Sequence, residues 1–288
     1  NDSAIGIAAK PSDIFAFAAS LGINWQNNID SPLFTLQDSG YSRLKQGEHT
    51  VLFDHAAVGP DYLPGHAHAD TLSLEWSVGT QRVLVNSGTS IYGVSGERLR
   101  QRQTAAHNTV VVDSEDSSEV WSGFRVARRA YAKLLSSAAS INETSQISAS
   151  HNGYKRLAGK VEHKRSVCLS SCELIITDEL FGDWHQAEAM FHMHPDVAVV
   201  QDADTVIITL PSGVRYAVIS ESLLRVETST WHPHFGVSIE NFKLVGLPSM
   251  TGTGDVFVTP KMNLKYLTRL GQGPKQPRVE TAKRQVSI

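Results

Sequence analysis

The stretch GHAHADTLSLEWSVGTQRVLVNSGTSIY, residues 65–92, sets two histidines one residue apart at the mouth of an alternating apolar run. Leu72, Leu74, Trp76 and Val78 alternate with Ser73, Glu75 and Ser77, and Gly79–Thr80 then turns the chain into RVLVNSG. A period of two, broken by Gly-Thr and resumed, reads as a β-hairpin. Carried backwards, the same period puts His66, His68 and Asp70 on one strand face, because side chains at i, i+2 and i+4 point the same way. A row of imidazole, imidazole and carboxylate could hold a metal, move protons, or be a solvated edge without chemistry.

The rest of the chain extends the pattern. TVVVD, SVCLS, ELIITDEL, VAVV, TVIITL, VRYAVIS, LLRVET, FGVSI and DVFVT follow, most of them bounded by Gly, Pro, Asp, Asn or Ser. Strands at this density, with almost no helical period, predict an all-β fold, a large antiparallel β-sandwich. One helix is legible in KPSDIFAFAASLG, with Ser12 as cap, Ile14, Phe17, Ala18 and Leu21 at helical spacing, and Gly22 as stop. GERLRQRQ, residues 96–103, reads as an exposed charged loop. From Lys261 a basic tail begins, with Glu280 its only acid; a solvated terminus is its expected state.

The 288 residues suffice for a substantial core, and a net charge of -3 gives no reason to expect nucleic acid as a partner. The longest apolar runs are strand-sized, so no membrane span is predicted. Cys168 and Cys172 would have Cα atoms roughly 13 Å apart on an extended strand, beyond disulfide reach. Free thiols are expected, and they leave the compartment open.

Histidine is over-used: there are 12, and H-x-H occurs at His66/His68, His192/His194 and His232/His234. The last two pairs adjoin prolines and aromatics and read as histidines packed at strand ends. His107, just before TVVVD, brings a third imidazole from far along the sequence, and imidazole suits zinc. SSEVWSGFRVARRA adds Trp121, Phe124, Arg125, Arg128 and Arg129. Arginine forks bind carboxylates and an exposed Trp stacks on a sugar face; core aromatics with surface ion pairs are the other reading.

Residues 65–92, then ERLRQRQTAAHNTVVVDSEDSSEVWSGFRVARRA, resemble the heparinase II/III-like domain of polysaccharide lyases, the β-sheet part of enzymes that cleave heparan-type glycosaminoglycans or alginate. The order H-x-H-A-D, V-x-x-G-T, A-A-H-N-T-V-x-V-D carries the resemblance, densest over about residues 60–130. It implies a supersandwich that follows an (α/α) toroid, with substrate in the cleft between them. Residues 1–30 would then be a helical segment leading from that toroid, and 31–288 the sandwich with its tail. It implies further that His66 faces the cleft as a catalytic group, with Tyr92 near the substrate. Asp70 would orient one of the histidines. His68 and His107 would hold zinc with the residue at position 86, and Asn108, Trp121 and Arg125 would contact an acidic, uronate-containing polysaccharide. The implied reaction is β-elimination, and the implied compartment periplasmic or secreted.

Two departures stand out. Where the family has V-D-P-G-T-Y, this chain has Val85-Asn86-Ser87-Gly88-Thr89-Ser90, so the third zinc ligand becomes a neutral amide. The toroid, which supplies further catalytic residues, lies outside the sequence. A non-catalytic carbohydrate-binding or structural sandwich is therefore the alternative. A metallohydrolase of the metallo-β-lactamase kind fits less well, since Thr71 follows Asp70 and the αββα layering is absent.

Overall fold

In the strands Glu162–Ser170 and Glu173–Phe181 every second residue is buried. Val167, Leu169, Leu174, Ile176 and Leu180 point into the core, while the intervening residues face the other side. This alternation makes one face of a sheet bury itself against another. Cys168 and Cys172, in and just after the first of these strands, are free thiols as expected.

The computed structural model describes residues 2, 5–23, 31–141, 143–202, 205–220, 223–247, 257–258 and 262–266. Among these, the strands form sheets of nine, five, four and two strands, with every strand pairing antiparallel. The nine-stranded sheet centres on the pair just named. The five-stranded sheet is a meander of Leu33–Leu36, Tyr41–Gln46, His49–Asp54, Leu74–Val78 and Gln81–Leu84. The four-stranded sheet runs Leu224–Trp231, Ile239–Gly246, Ala187–His192, Val110–Val112.

Leu44, Val51, Phe53 and Trp76 of the meander share one core with Ile147, Val167 and Leu174 of the large sheet and with Val110, Phe191 and Leu244 of the third. Burying each such aliphatic or Phe side chain stabilises the fold by about 1.5–3 kcal/mol. The fold is thus the expected large antiparallel β-sandwich, with a single longer helix, Pro11–Ser20, near the start of the chain.

The hairpin Leu74–Val78/Gln81–Leu84 is where the sequence placed it, with a register shift at Trp76/Ser77. The stretch before it is not strand. Residues 65–73 form a looped segment, and Leu72 near its end has a φ of 63° that breaks any extended run. The reason lies in where its backbone bonds go. Ala69 N–H donates to the Arg102 carbonyl, and the Ala69 carbonyl accepts from the Thr104 and Ser117 hydroxyls; strand bonding, to Asp54, begins only at Leu72 and Ser73. His66, His68 and Asp70 therefore do not share a strand face.

GERLRQRQ is also corrected. Gly96–Arg102 is a helix capped by the Ser95 hydroxyl, which accepts from Arg98 N–H, and Arg98, Gln101 and Arg102 are buried. Ser12 is not a cap; Lys10 holds that position and Pro11 opens the helix at N1. In FGVSI, Phe235 and Gly236 form a turn and Val237–Ser238 are irregular, the strand starting at Ile239. The basic tail does not begin as a solvated terminus: Met262–Tyr266 is a strand between Arg215–Ile219 and Glu173–Phe181 in the nine-stranded sheet, with Leu264 buried in the core. The residues beyond Tyr266 lie outside the described residues.

Candidate functional site

Three segments converge at one rim of the sandwich: the loop 65–73, the chain leaving Gln81–Leu84, and the Gly96–Arg102 helix with the residues that follow it. Asn108 ties them together. Its amide donates to the Leu74 and Val85 carbonyls at 2.8 and 3.1 Å, and its carbonyl accepts from His192 N–H at 2.6 Å. With all these partners and 1% exposure, Asn108 holds the framework and does not face a polymer.

The Gly88 turn presses on the third sheet. Its φ is +80°, and a Cβ there would meet the His232 carbonyl oxygen at 2.1 Å, so only glycine fits. Ser87 secures both sides of this approach, accepting from His232 N–H at 2.7 Å and donating through Oγ to the Ala106 carbonyl at 2.6 Å.

His68 and His107 are fully buried, with ring centroids 5.2 Å apart. Among the described residues, His68 Nδ1 and both ring nitrogens of His107 lack a well-formed hydrogen bond. Burial pushes His68 down to about 4, against the pull of the Asp2 and Asp70 carboxylates. Burial, then the neighbouring His68, keeps His107 well below the usual histidine range. Both are neutral imidazoles at pH 7, the form that ligates metal.

Asn86 Oδ1 accepts from Gly88 N–H at 3.0 Å, in its own turn. No group of three or more His, Cys, Asp or Glu among the described residues could hold a metal ion. The implied zinc therefore finds two fitting donors with unsatisfied nitrogens, and a third position that offers an amide oxygen without charge.

His66 stands at the exposed side of the loop. Its ring lies 5.8 Å from both Tyr92 and Phe124, and Tyr92 lies 4.7 Å from Phe235, centroid to centroid. The four rings line an open corner. Trp121 is 54% exposed on the ribbon Val120–Trp121/Arg125–Val126, directly paired with exposed Arg125. That ribbon is anchored from below: Arg98 Nε donates to the Gly123 carbonyl, and Arg102 to the Trp121, Ser122 and Arg125 carbonyls. Arg128 and Arg129 are in ion pairs with Glu119 and Asp61, the bland reading for those two.

Sequence reasoning missed Arg98, Thr89 and Asp2. The Arg98 guanidinium lies under this corner, its centre 5.1 and 5.2 Å from the Tyr92 and Phe124 rings, and it grips the Asp2 carboxylate. Burial works to raise the Asp2 carboxyl, but hydrogen bonds from His68 and Arg98 outweigh it and hold it well below the usual carboxylate range. The i, i+4 spacing of Arg98 and Arg102 was the available signal, two cations on one face of a helix. Asp70 is buried at a groove of about 650 Å³ that also touches Asp54, Tyr41 and Asn86, and its charge acts on His68.

An all-antiparallel sandwich with a histidine- and aromatic-lined rim defines the class. The chain belongs to the heparinase II/III-like family, as its C-terminal domain, whose family model matches residues 28–262. No curated protein matches it. Among solved structures it is similar to heparan sulfate lyase HepC from Pedobacter heparinus, with 14% identity and a TM-score of 0.68 over 93% of this chain and 42% of that one. A heparinase III gene product gives 14% identity and 0.65 over 88% and 40%. A further heparinase III structure gives 15% and 0.63 over 80% and 36%. The chain thus spans about two-fifths of the length of these structures.

Proposed function

We propose that this chain is the sandwich part of a polysaccharide lyase that cleaves uronic-acid-containing acidic polymers, of the heparan or alginate type, by β-elimination. The supporting observation is the exposed corner in which His66 and Tyr92 stand 5.8 Å apart at the rim of a lyase-family fold. β-Elimination needs a base for the C5 proton, a group to neutralise the C6 carboxylate and an acid for the leaving O4. His66 Nδ1 already engages a carboxylate, that of Asp2, at 3.0 Å. Its exposed imidazole suits the base. Burial and then the Asp2 charge raise the Tyr92 phenol, with Arg98 pulling the other way. Tyr92 therefore keeps its proton and suits the acid. Trp121 and Arg125 extend the surface along which the polymer would lie.

Zinc, when bound, would be held by His68, His107 and the Asn86 carbonyl, and would fix the loops that carry them. The partner in catalysis is a preceding (α/α) toroid. The Pro11–Ser20 helix leaves Ile14, Phe17 and the following Leu21 between 53% and 66% exposed, an apolar face for such a domain to cover. Among the described residues no helix is long and apolar enough to cross a membrane; a periplasmic or secreted site of action is part of the proposal.

The test is the full-length protein on uronate polymers, read as ultraviolet absorbance of unsaturated sugar ends. His66→Ala should lower turnover by about 10²–10⁴-fold and leave polymer affinity in place. Absence of unsaturated product from every uronate polymer overturns the reading. A non-catalytic carbohydrate-binding module would then stand, favoured by the Asn86 amide being engaged in its own turn.

A further inference from the structure

The carboxylate of Asp2 is held by five hydrogen bonds from four side chains. Arg98 Nη1 meets Oδ1 and Nη2 meets Oδ2, each at 2.5 Å, a bidentate fork. His68 Nε2 lies 2.7 Å from Oδ1, His66 Nδ1 lies 3.0 Å from Oδ2, and the Thr89 hydroxyl donates to Oδ1 at 3.2 Å. Arg98 and His68 are fully buried. The guanidinium is held edge and face: its Nε is fixed by the Gly123 carbonyl and its plane lies against Tyr92 and Phe124. A planar fork held in this way is pre-oriented for a carboxylate, and lysine could not replace it.

We infer that this pocket is the subsite that takes a sugar carboxylate, with Arg98 as the residue that selects for it and Asp2 as an internal competitor. The inference rests on the proposed action on uronate polymers and names the group that reads the uronate. Its chemistry is specific. Arg98, His68 and Thr89 alone satisfy a carboxylate at both oxygens, and the rings of Tyr92, Phe124 and His66 beside it offer a sugar an apolar face. A metal ion is not the natural occupant at the Asp2 oxygens, since a cation there would sit against the Arg98 charge. Because Asp2 holds the pocket, apparent affinity for an external carboxylate is reduced by the fraction of time the pocket is free.

The experiment measures binding of glucuronate, with glucose as the neutral control, to the full-length protein by titration calorimetry. Asp2→Asn should tighten glucuronate binding about tenfold and leave glucose unchanged. Arg98→Gln, added to Asp2→Asn, should abolish the preference for glucuronate; a thermal melt checks that this variant folds. A purely structural Asp2–Arg98 ion pair gives a lower Tm for Asp2→Asn with unchanged glucuronate affinity, and that result overturns the inference. So does glucuronate binding no tighter than glucose in Asp2→Asn. Failure here and failure of the lyase reading are separable. Carboxylate-blind binding with unsaturated product still formed removes only this inference, whereas selective glucuronate binding without product removes only the lyase.

Discussion

His68 and His107 lie with ring centroids 5.2 Å apart and planes inclined by 51°, and neither nitrogen of the His107 ring has a well-formed hydrogen bond among the described residues. Three unsatisfied ring nitrogens in a buried place, His68 Nδ1 and both of His107, cost stability unless something binds them. We expect the purified protein to take up about one zinc per chain, with a rise in Tm. Asn86→Asp should tighten zinc by about tenfold or more, because it restores a charged ligand. His68→Ala should remove it. Elemental analysis after dialysis decides the matter, and no zinc in either the native protein or Asn86→Asp refutes the site.

Asp54 and Asp70 make a second testable pair. Burial first, then the Asp70 charge, drives Asp54 up to about 7. A carboxyl raised from 3.8 in the unfolded chain loses its proton there first. Stability therefore falls as pH rises from about 4 to about 7, and the loss is complete above that. Asp54→Asn should stabilise the protein by about 2–4 kcal/mol at pH 8 and by almost nothing at pH 4. Urea unfolding at the two pH values measures this; an equal effect at both would exclude the raised pKa.

How much of this was legible depended on which interactions set each element. The hairpin around Gly79 and the strands near Cys168 follow from period two, since each buries one face and no more. The approach of His68 to His107 was expected from the family resemblance and is present in the fold. The strand row at His66–Asp70 was misread because its backbone bonds to Arg102 and Thr104, over thirty residues away, and nothing local records that. GERLRQRQ looked solvated because arginine is normally exposed. Arg98 and Arg102 are buried since carbonyls of residues 67 and 121–125, and the Asp2 carboxylate, converge on their guanidiniums. Asn108 was read as a substrate ligand, and its three framework bonds depend on strands that meet only in three dimensions.

His192 gives the opposite pH signature. It is fully buried, its Nε2 donating to the Ala105 carbonyl at 3.0 Å, and burial pushes it down to about 4. With a folded value below the unfolded 6.5, its contribution is intact above 6.5 and is lost as pH falls towards 4. At pH 5 this amounts to about 2 kcal/mol. His192→Gln, whose amide can still donate to Ala105, should flatten the slope of stability against pH between 6.5 and 5. A slope unchanged from the native protein would show that His192 is not the group responsible.

The Arg165–Asp178 pair couples the large sheet to the site, and its variants should show it. Arg165 Nε and Nη2 meet the two Asp178 oxygens at 2.7 and 2.8 Å, and His163 Nε2 adds a 2.6 Å contact. All three side chains are buried. Nη1 of the same arginine reaches the Leu72 carbonyl at 2.9 Å, in the turn after Asp70, and the Asn108 carbonyl, one residue past His107. Asp178→Ala leaves a buried cation unpaired and should cost about 3–5 kcal/mol. Replacing both charges by apolar residues, Arg165→Met with Asp178→Leu, is often neutral for an isolated buried pair. Here it should not be. The Leu72 and Asn108 carbonyls lose their donor, which leaves a deficit of about 1–3 kcal/mol for each. Urea unfolding of the single and double variants measures both quantities. Full recovery of stability in the double variant would show that Arg165 serves only its partner, and that the site loops are held without it.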